Sequence, residues 1–142
     1  MTALDDGTAS TRPCCLADRV DREGWGPWSR KDDIHYAHAP ADALQRVIAL
    51  RVHLDDSTSD NGPLRVLPGT HELGVLTDEQ VHEQSHSRES RECCAPAGSV
   101  VAMRPLIIHA SSKCKSANPR RVLHIEYSRS LQIAPGMRLR AA

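Results

Sequence analysis

Val47-Ile-Ala-Leu-Arg-Val-His-Leu54 is the stretch that decides the fold. Its period is two residues: Ile48, Leu50, Val52 and Leu54 fall on one face, and Val47, Ala49, Arg51 and His53 on the other. Side chains that alternate in this way belong to a β-strand, here one with an apolar face and a mixed face. Residues 55–62, Asp-Asp-Ser-Thr-Ser-Asp-Asn-Gly, are dense in turn formers, and Asn61-Gly62 supplies the positive φ at which a chain reverses. Residues 63–67 then return as a short strand, and Pro68-Gly69 turns the chain again.

The pattern continues outward in both directions. Thr77-Asp-Glu-Gln80 is a capping box and predicts a short helix reaching about Gln84. Residues 92–95, 99–103 and 106–109 read as strands, with residues 96–98 as the turn between the first two. Residues 121–128 read as a final strand in which Leu123, Ile125 and Tyr127 alternate with Val122, His124 and Glu126. Upstream, residues 1–30 show no clean period and are broken by Gly24, Gly26 and Pro27. They read as tail and loop, anchored by Trp25 and Trp28, and residues 40–46 as one helical turn. The basic stretch after Ser130 reads as a loose tail. The division is therefore a poorly ordered segment 1–24, a domain 25–130 and a tail 131–142. Short strands, frequent turns and a minor helix predict an all-β sandwich or barrel.

Composition narrows the function classes. The 142 residues suffice for one domain with a modest core. Phe is absent and aromatics make up 3%, so the core must be built from smaller side chains, which implies marginal stability. Formal net charge is +0 with the signs interspersed, which argues against nucleic acid or an anionic membrane as the main partner. No apolar stretch approaches the roughly 20 residues of a membrane span. Residues 1–10 have neither the basic start nor the apolar run of a signal peptide, so a cytoplasmic location is expected. Of the five cysteines, Cys14-Cys15 and Cys93-Cys94 are adjacent pairs and Cys114 stands alone. None has Cys-x-x-Cys spacing, so all are expected as reduced thiols.

Three segments carry a resemblance: His53-Leu-Asp-Asp56 with Asp60-Asn-Gly-Pro-Leu-Arg-Val-Leu-Pro-Gly-Thr-His71; Met103-Arg-Pro-Leu-Ile-Ile-His-Ala-Ser-Ser112; and Pro119-Arg-Arg-Val-Leu-His-Ile-Glu-Tyr127. Their order and spacing resemble the phytanoyl-CoA dioxygenase family, and Trp25-Gly-Pro-Trp28 is similar to a loop in some bacterial members. The resemblance spans roughly residues 25–128 and implies a double-stranded β-helix, a cupin-like jelly roll, here in partial form. It implies Fe(II) held by two His and one carboxylate, with positions open for 2-oxoglutarate and O2, and hydroxylation of a small organic substrate. Residue by residue, it places the second iron-binding His on His109 and the arginine for the distal carboxylate of 2-oxoglutarate on Arg120. Arg121 is the alternative, and Ser111 adds a hydroxyl to the same carboxylate.

The family's His-x-Asp iron pair would fall near residues 9–11, where Ala-Ser-Thr stands. The resemblance thus implies an N-terminally truncated member. His53-Leu-Asp55 is the one His-x-Asp present, and a period of two would place both side chains on one face. The resemblance places it in the strand leading to the Asn-Gly turn and not at the iron, which leaves a substitute ligand pair as the alternative. His35 and His38, three apart in a Pro-flanked loop, read as exposed loop residues with metal binding as the alternative, whereas His71 reads as structural and His82 and His86 as exposed. Three functions follow: an oxygenase, a non-catalytic remnant, or a small cupin-like binding module. Unpaired strands at a cut edge also predict a homodimer through exposed sheet edges.

Overall fold

The computed structural model describes residues 14–111 and 113–140. In chain order its elements are β1 (Cys14–Leu16), β2 (Trp28–Lys31), β3 (Ile34–Ala37), α1 (Ala41–Leu44), β4 (Val47–His53), β5 (Leu64–Val66), a 3-10 turn (Thr70–Leu73), α2 (Asp78–Ser87), β6 (Arg91–Cys93), β7 (Val100–Met103), β8 (His109–Ser111), β9 (Val122–Ser128), β10 (Gln132–Ala134) and β11 (Met137–Arg138). β4 runs down the middle of an antiparallel sheet, β7-β4-β9, and β5 down the middle of a second, β6-β5-β8. Ala49 and Met103 of the first sheet pack on Leu64 and Val66 of the second. Two facing antiparallel sheets of this kind form a partial jelly roll, so the all-β expectation holds.

The helix expected from the capping box forms. The Thr77 hydroxyl accepts from the Gln80 amide and the Gln80 side chain accepts from the Thr77 amide, satisfying two amides that a helix start leaves open.

Three expectations need correction. Residues 14–31 are not simply tail and loop: β1 pairs with β3 in the register Cys14↔Ala37, and β2 pairs with β3 on its other side. A three-residue strand is too short to show a period, and its partner lies about twenty residues away. The stretch from residue 131 is not a loose tail through residue 140. It forms the β10-β11 hairpin and buries Ile133, Met137 and Leu139, with Leu139 bridging to Leu16. The strand expected at 106–109 begins only at His109, because the Ile107 amide closes a turn on the Arg104 carbonyl (3.1 Å).

These corrections locate the main core. Leu16, Trp25, Leu44, Val47, Leu106, Ile133, Met137 and Leu139 form one cluster with several alanines, and Trp28 packs against it. The N-terminal sheet, α1 and the C-terminal hairpin thus supply most of the buried apolar surface. Between the two jelly-roll sheets the apolar cluster is small.

β4 turns its mixed face inward. Val47, Ala49 and His53 are buried, while Leu54 is 55% exposed. The apolar residues of β9 share the outer face, with Leu123 52% and Tyr127 62% exposed. Only one face of β7-β4-β9 can meet the β6-β5-β8 sheet, and chain connectivity rather than hydropathy selects which one.

Candidate functional site

The Asp56–Gly62 reversal is the first support of the site. The Asn61 side chain is buried; its Oδ1 accepts from the Thr58 amide (2.9 Å) and its Nδ2 donates to the Asp56 carbonyl (2.8 Å). Gly62 follows at φ 74, a conformation open to glycine at no steric cost. With its side chain so occupied, Asn61 presents its backbone carbonyl to Arg120, whose Nε donates to it at 3.3 Å. Arg120 precedes Val122 by two residues, and Val122 lies directly opposite His53. Its guanidinium is half-buried, and its two terminal nitrogens make no hydrogen bond among the described residues.

Arg121 goes the other way. Its Nε and Nη2 donate to the two oxygens of Asp55 at 2.9 and 2.8 Å, and its backbone amide adds a third bond at 2.8 Å. The Arg121 side chain is exposed. Strand parity therefore leaves Arg120 as the guanidinium beside the interior. It also separates His53 from Asp55: β4 ends at His53, whose side chain is buried, while Asp55 is held by Arg121. The candidate substitute pair is thus not presented as a chelate, because β4 ends at the first of its two members and the period of two stops there.

Hydrogen bonds from Arg121 hold the Asp55 carboxyl at about 2, below its ordinary value of 3.8. A depressed carboxylate contributes stability that is complete above the unfolded value and is lost as pH falls through the folded one. Wild type is therefore expected to lose stability relative to Asp55→Asn between pH 3.8 and about 2, and a denaturant series over that window checks it. Parallel curves would remove the pair from the acid response.

The second support is Pro68-Gly69-Thr70. The Thr70 side chain is fully buried; its hydroxyl donates to the Leu67 carbonyl (2.8 Å) and accepts from the Ile108 amide (2.9 Å). The Leu67 amide donates to the Ile108 carbonyl at 2.9 Å. Residue 108 is thereby clamped immediately before His109. His109 pairs with Val66, and Ser111 with Leu64. Directly opposed residues share a face, and Leu64 and Val66 face Ala49 and Met103 across the sandwich. His109 and Ser111 therefore project into the space between the sheets. The Nδ1–H of His109 donates to the Ile107 carbonyl (2.8 Å), which places the ring's lone pair on Nε2, the form in which a neutral imidazole ligates a metal.

Arg51 and His53 from β4, with His124 and Glu126 from β9, line the opposite wall by the same register. Burial, then Arg51 and Arg120, push the His53 imidazole below its ordinary value, so it stays neutral. Burial pushes the Cys93 thiol up, with Arg51 acting in the other direction. Polar residues at period-two positions of β4 and β9 were the available signal for this lining. In the sequence, His53 reads only as half of a His-x-Asp pair, and neither Arg51 nor Thr70 carries a signal of its own.

The remaining histidines do not join the site. His35 lies on β3, His38 is exposed, and His71 is in the 3-10 turn, 3.9 Å from Glu72. His82 and His86 stack on α2 with centroids 4.1 Å apart. Iron held by two His and a carboxylate needs two donors besides His109. Among the described residues no three of His, Cys, Asp and Glu gather as a metal site. The residues the sequence places at the iron pair's position, 9–11, lie outside the described residues. The described residues thus suit the carboxylate of 2-oxoglutarate and do not by themselves suit the metal.

This fold is that of the jelly-roll oxygenases that use iron and 2-oxoglutarate, in partial form. The sequence profile of the phytanoyl-CoA dioxygenase family matches residues 21–122, and the chain belongs to that family. Fe(II) and 2-oxoglutarate are the family's cofactors. The L-proline trans-4-hydroxylase of Streptomyces griseoviridis is 31% identical over a match covering 72% of this chain and 48% of that protein. The chain thus spans about half the length of that relative. Among solved structures, EctD from S. alaskensis with 2-oxoglutarate and 5-hydroxyectoine is 26% identical, with a TM-score of 0.53 over 61% of this chain and 33% of that one. AviO1 from Streptomyces viridochromogenes Tue57 is 25% identical, with a TM-score of 0.53 over 82% of this chain and 45% of that one.

Proposed function

We propose that this chain supplies the cosubstrate-binding side of an Fe(II)/2-oxoglutarate-dependent hydroxylase acting on a small organic molecule. The observation that carries the proposal is Arg120: a half-buried guanidinium fixed through Nε by a backbone carbonyl, with its terminal nitrogens turned to no protein acceptor among the described residues. That is the arrangement for gripping a carboxylate with two parallel hydrogen bonds. Ser111 supplies a hydroxyl from β8, and His109 an imidazole two residues earlier on the same face. The relatives' printed substrates and ligands, L-proline and 5-hydroxyectoine, are small molecules and support the substrate class. Anaerobic titration with Fe(II) and 2-oxoglutarate, followed by succinate detection after admitting O2, tests the activity. Succinate formation supports it. Binding of 2-oxoglutarate without succinate would leave a non-catalytic binding module, and failure to bind it would end both readings.

We infer further that β9 pairs edge to edge with β9 of a second copy of the chain. β9 is an edge strand among the described residues, and it exposes Leu123, Ile125 and Tyr127. Antiparallel pairing of β9 with itself about Ile125 sets the exposed Leu123 against the partner's Tyr127, an apolar cross-strand pair. Sedimentation at two concentrations should show a dimer that Ile125→Lys dissociates. A wild-type monomer at both concentrations would remove the interface.

No helix among the described residues is long and apolar enough to cross a membrane.

A further inference from the structure

We propose that His53 is a second cosubstrate-binding residue, donating a ring hydrogen bond to the same distal carboxylate that Arg120 grips. The proposal rests on the 2-oxoglutarate reading above and adds a residue to which the family resemblance gives no such role. Four observations carry it.

The first is burial without partnership. His53 is 1% exposed, and its Nδ1 has no hydrogen-bond partner among the described residues. Buried polar atoms are nearly always paired, so an orphan of this kind points to an acceptor supplied from outside the chain.

The second is fixed direction. The His53 amide donates to the Ser99 carbonyl (2.9 Å), and its carbonyl accepts from the Gly98 amide (2.8 Å). The backbone is thus held on both sides at the last residue of β4, with the side chain on the buried face.

The third is its neighbours. Across the sheet, His53 faces Val122, two residues after Arg120, and Arg51 stands two residues earlier on its own face. Two guanidiniums flank one imidazole. A carboxylate gripped by Arg120 would give the ring an acceptor.

The fourth is protonation. Burial, then the charges of Arg51 and Arg120, push the imidazole below its ordinary value and so favour the neutral ring. A neutral imidazole still carries one N–H, which suits it to donate to a carboxylate oxygen beside an arginine rather than to act as another cation.

The test is calorimetric titration of the full chain, without metal, using 2-oxoglutarate as the probe and pyruvate as a control that lacks the distal carboxylate. His53→Leu is expected to weaken 2-oxoglutarate binding about 10-fold, the size of a lost hydrogen bond to a charged group. His53→Asn retains a donor near the Nδ1 position and is expected to stay within about 3-fold of wild type. Pyruvate is expected to give no saturable signal with any of the proteins. Because Leu could disturb folding at this site, a second measurement uses wild type alone. The ring nitrogen resonances of 15N-labelled His53 should shift on saturation with 2-oxoglutarate. Unchanged resonances, or His53→Leu binding as tightly as wild type while Arg120→Ala does not bind, would overturn the role of His53 alone. Absence of any 2-oxoglutarate binding by wild type would overturn this inference and the cosubstrate reading together.

Discussion

Arg120→Ala is expected to raise the dissociation constant for 2-oxoglutarate by about 100-fold or more. Truncating one partner of a partly buried, hydrogen-bonded charge pair costs about 2–5 kcal/mol, and each 1.4 kcal/mol is tenfold in affinity. Arg120 makes one protein hydrogen bond, to the Asn61 carbonyl, so the variant should fold, with a melting temperature close to that of wild type. Arg120→Lys keeps the charge and loses the planar fork, so an intermediate loss of about 10-fold is expected. Arg121→Ala supplies the contrast. Arg121 is committed to Asp55 by three hydrogen bonds on the surface, and its loss should leave binding unchanged while altering acid stability. Calorimetry on the three variants checks this. If Arg121→Ala abolishes binding and Arg120→Ala does not, the carboxylate site has been placed on the wrong arginine.

Thr70→Val is expected to destabilise the fold by about 2–4 kcal/mol. The substitution is close to isosteric, so packing changes little. What is lost is the hydroxyl that joins the Leu67 carbonyl to the Ile108 amide. The Leu67 carbonyl keeps the Thr70 amide as a donor at 3.3 Å, but the buried Ile108 amide is left without an acceptor. An orphaned buried amide costs about 1–3 kcal/mol, and the hydrogen bond it made adds roughly 1 more. For a chain of this size the drop in Tm would be about 10 °C. Thr70→Ser retains the hydroxyl and should recover most of the loss. Thermal unfolding of the two variants is the measurement. A loss in Ser as large as that in Val would mean that the methyl group contributes as much as the hydroxyl and that the hydrogen bonds do not dominate. Because residue 108 leads directly into His109, the Val variant should also loosen the imidazole, visible as broadening of its ring resonances.

Thr70 and Asn61 show why the family signature takes the form it does. Asn-Gly-Pro and Pro-Gly-Thr-His look like turn punctuation in the sequence. In the structure each turn reaches across to another strand: Asn61 positions the guanidinium of Arg120, and Thr70 clamps the amide before His109. These short motifs, and the spacing from His109 to Arg120, made the family legible although only one candidate iron ligand could be placed on the described residues. The lining of the interior was harder to see. Arg51 and His53 sit on the face of β4 that hydropathy would turn to water, yet that face is the buried one.

Sequence alone determined the local chemistry: the two-residue period of β4 and β9, the reversals at Asn61-Gly62 and Pro68-Gly69, and the capping box of α2. Each of these depends on neighbours a few positions apart, where steric and hydrogen-bonding rules act directly. Tertiary structure decided which face of β4 is buried, that Arg120 and not Arg121 meets the interior, that Asp55 leaves His53 for a surface ion pair, and that residues 14–16 and 131–140 help complete the main core. Those outcomes depend on pairings between residues tens of positions apart. A single sheet has two faces of near-equal local merit, and only the arrival of the second sheet chooses between them.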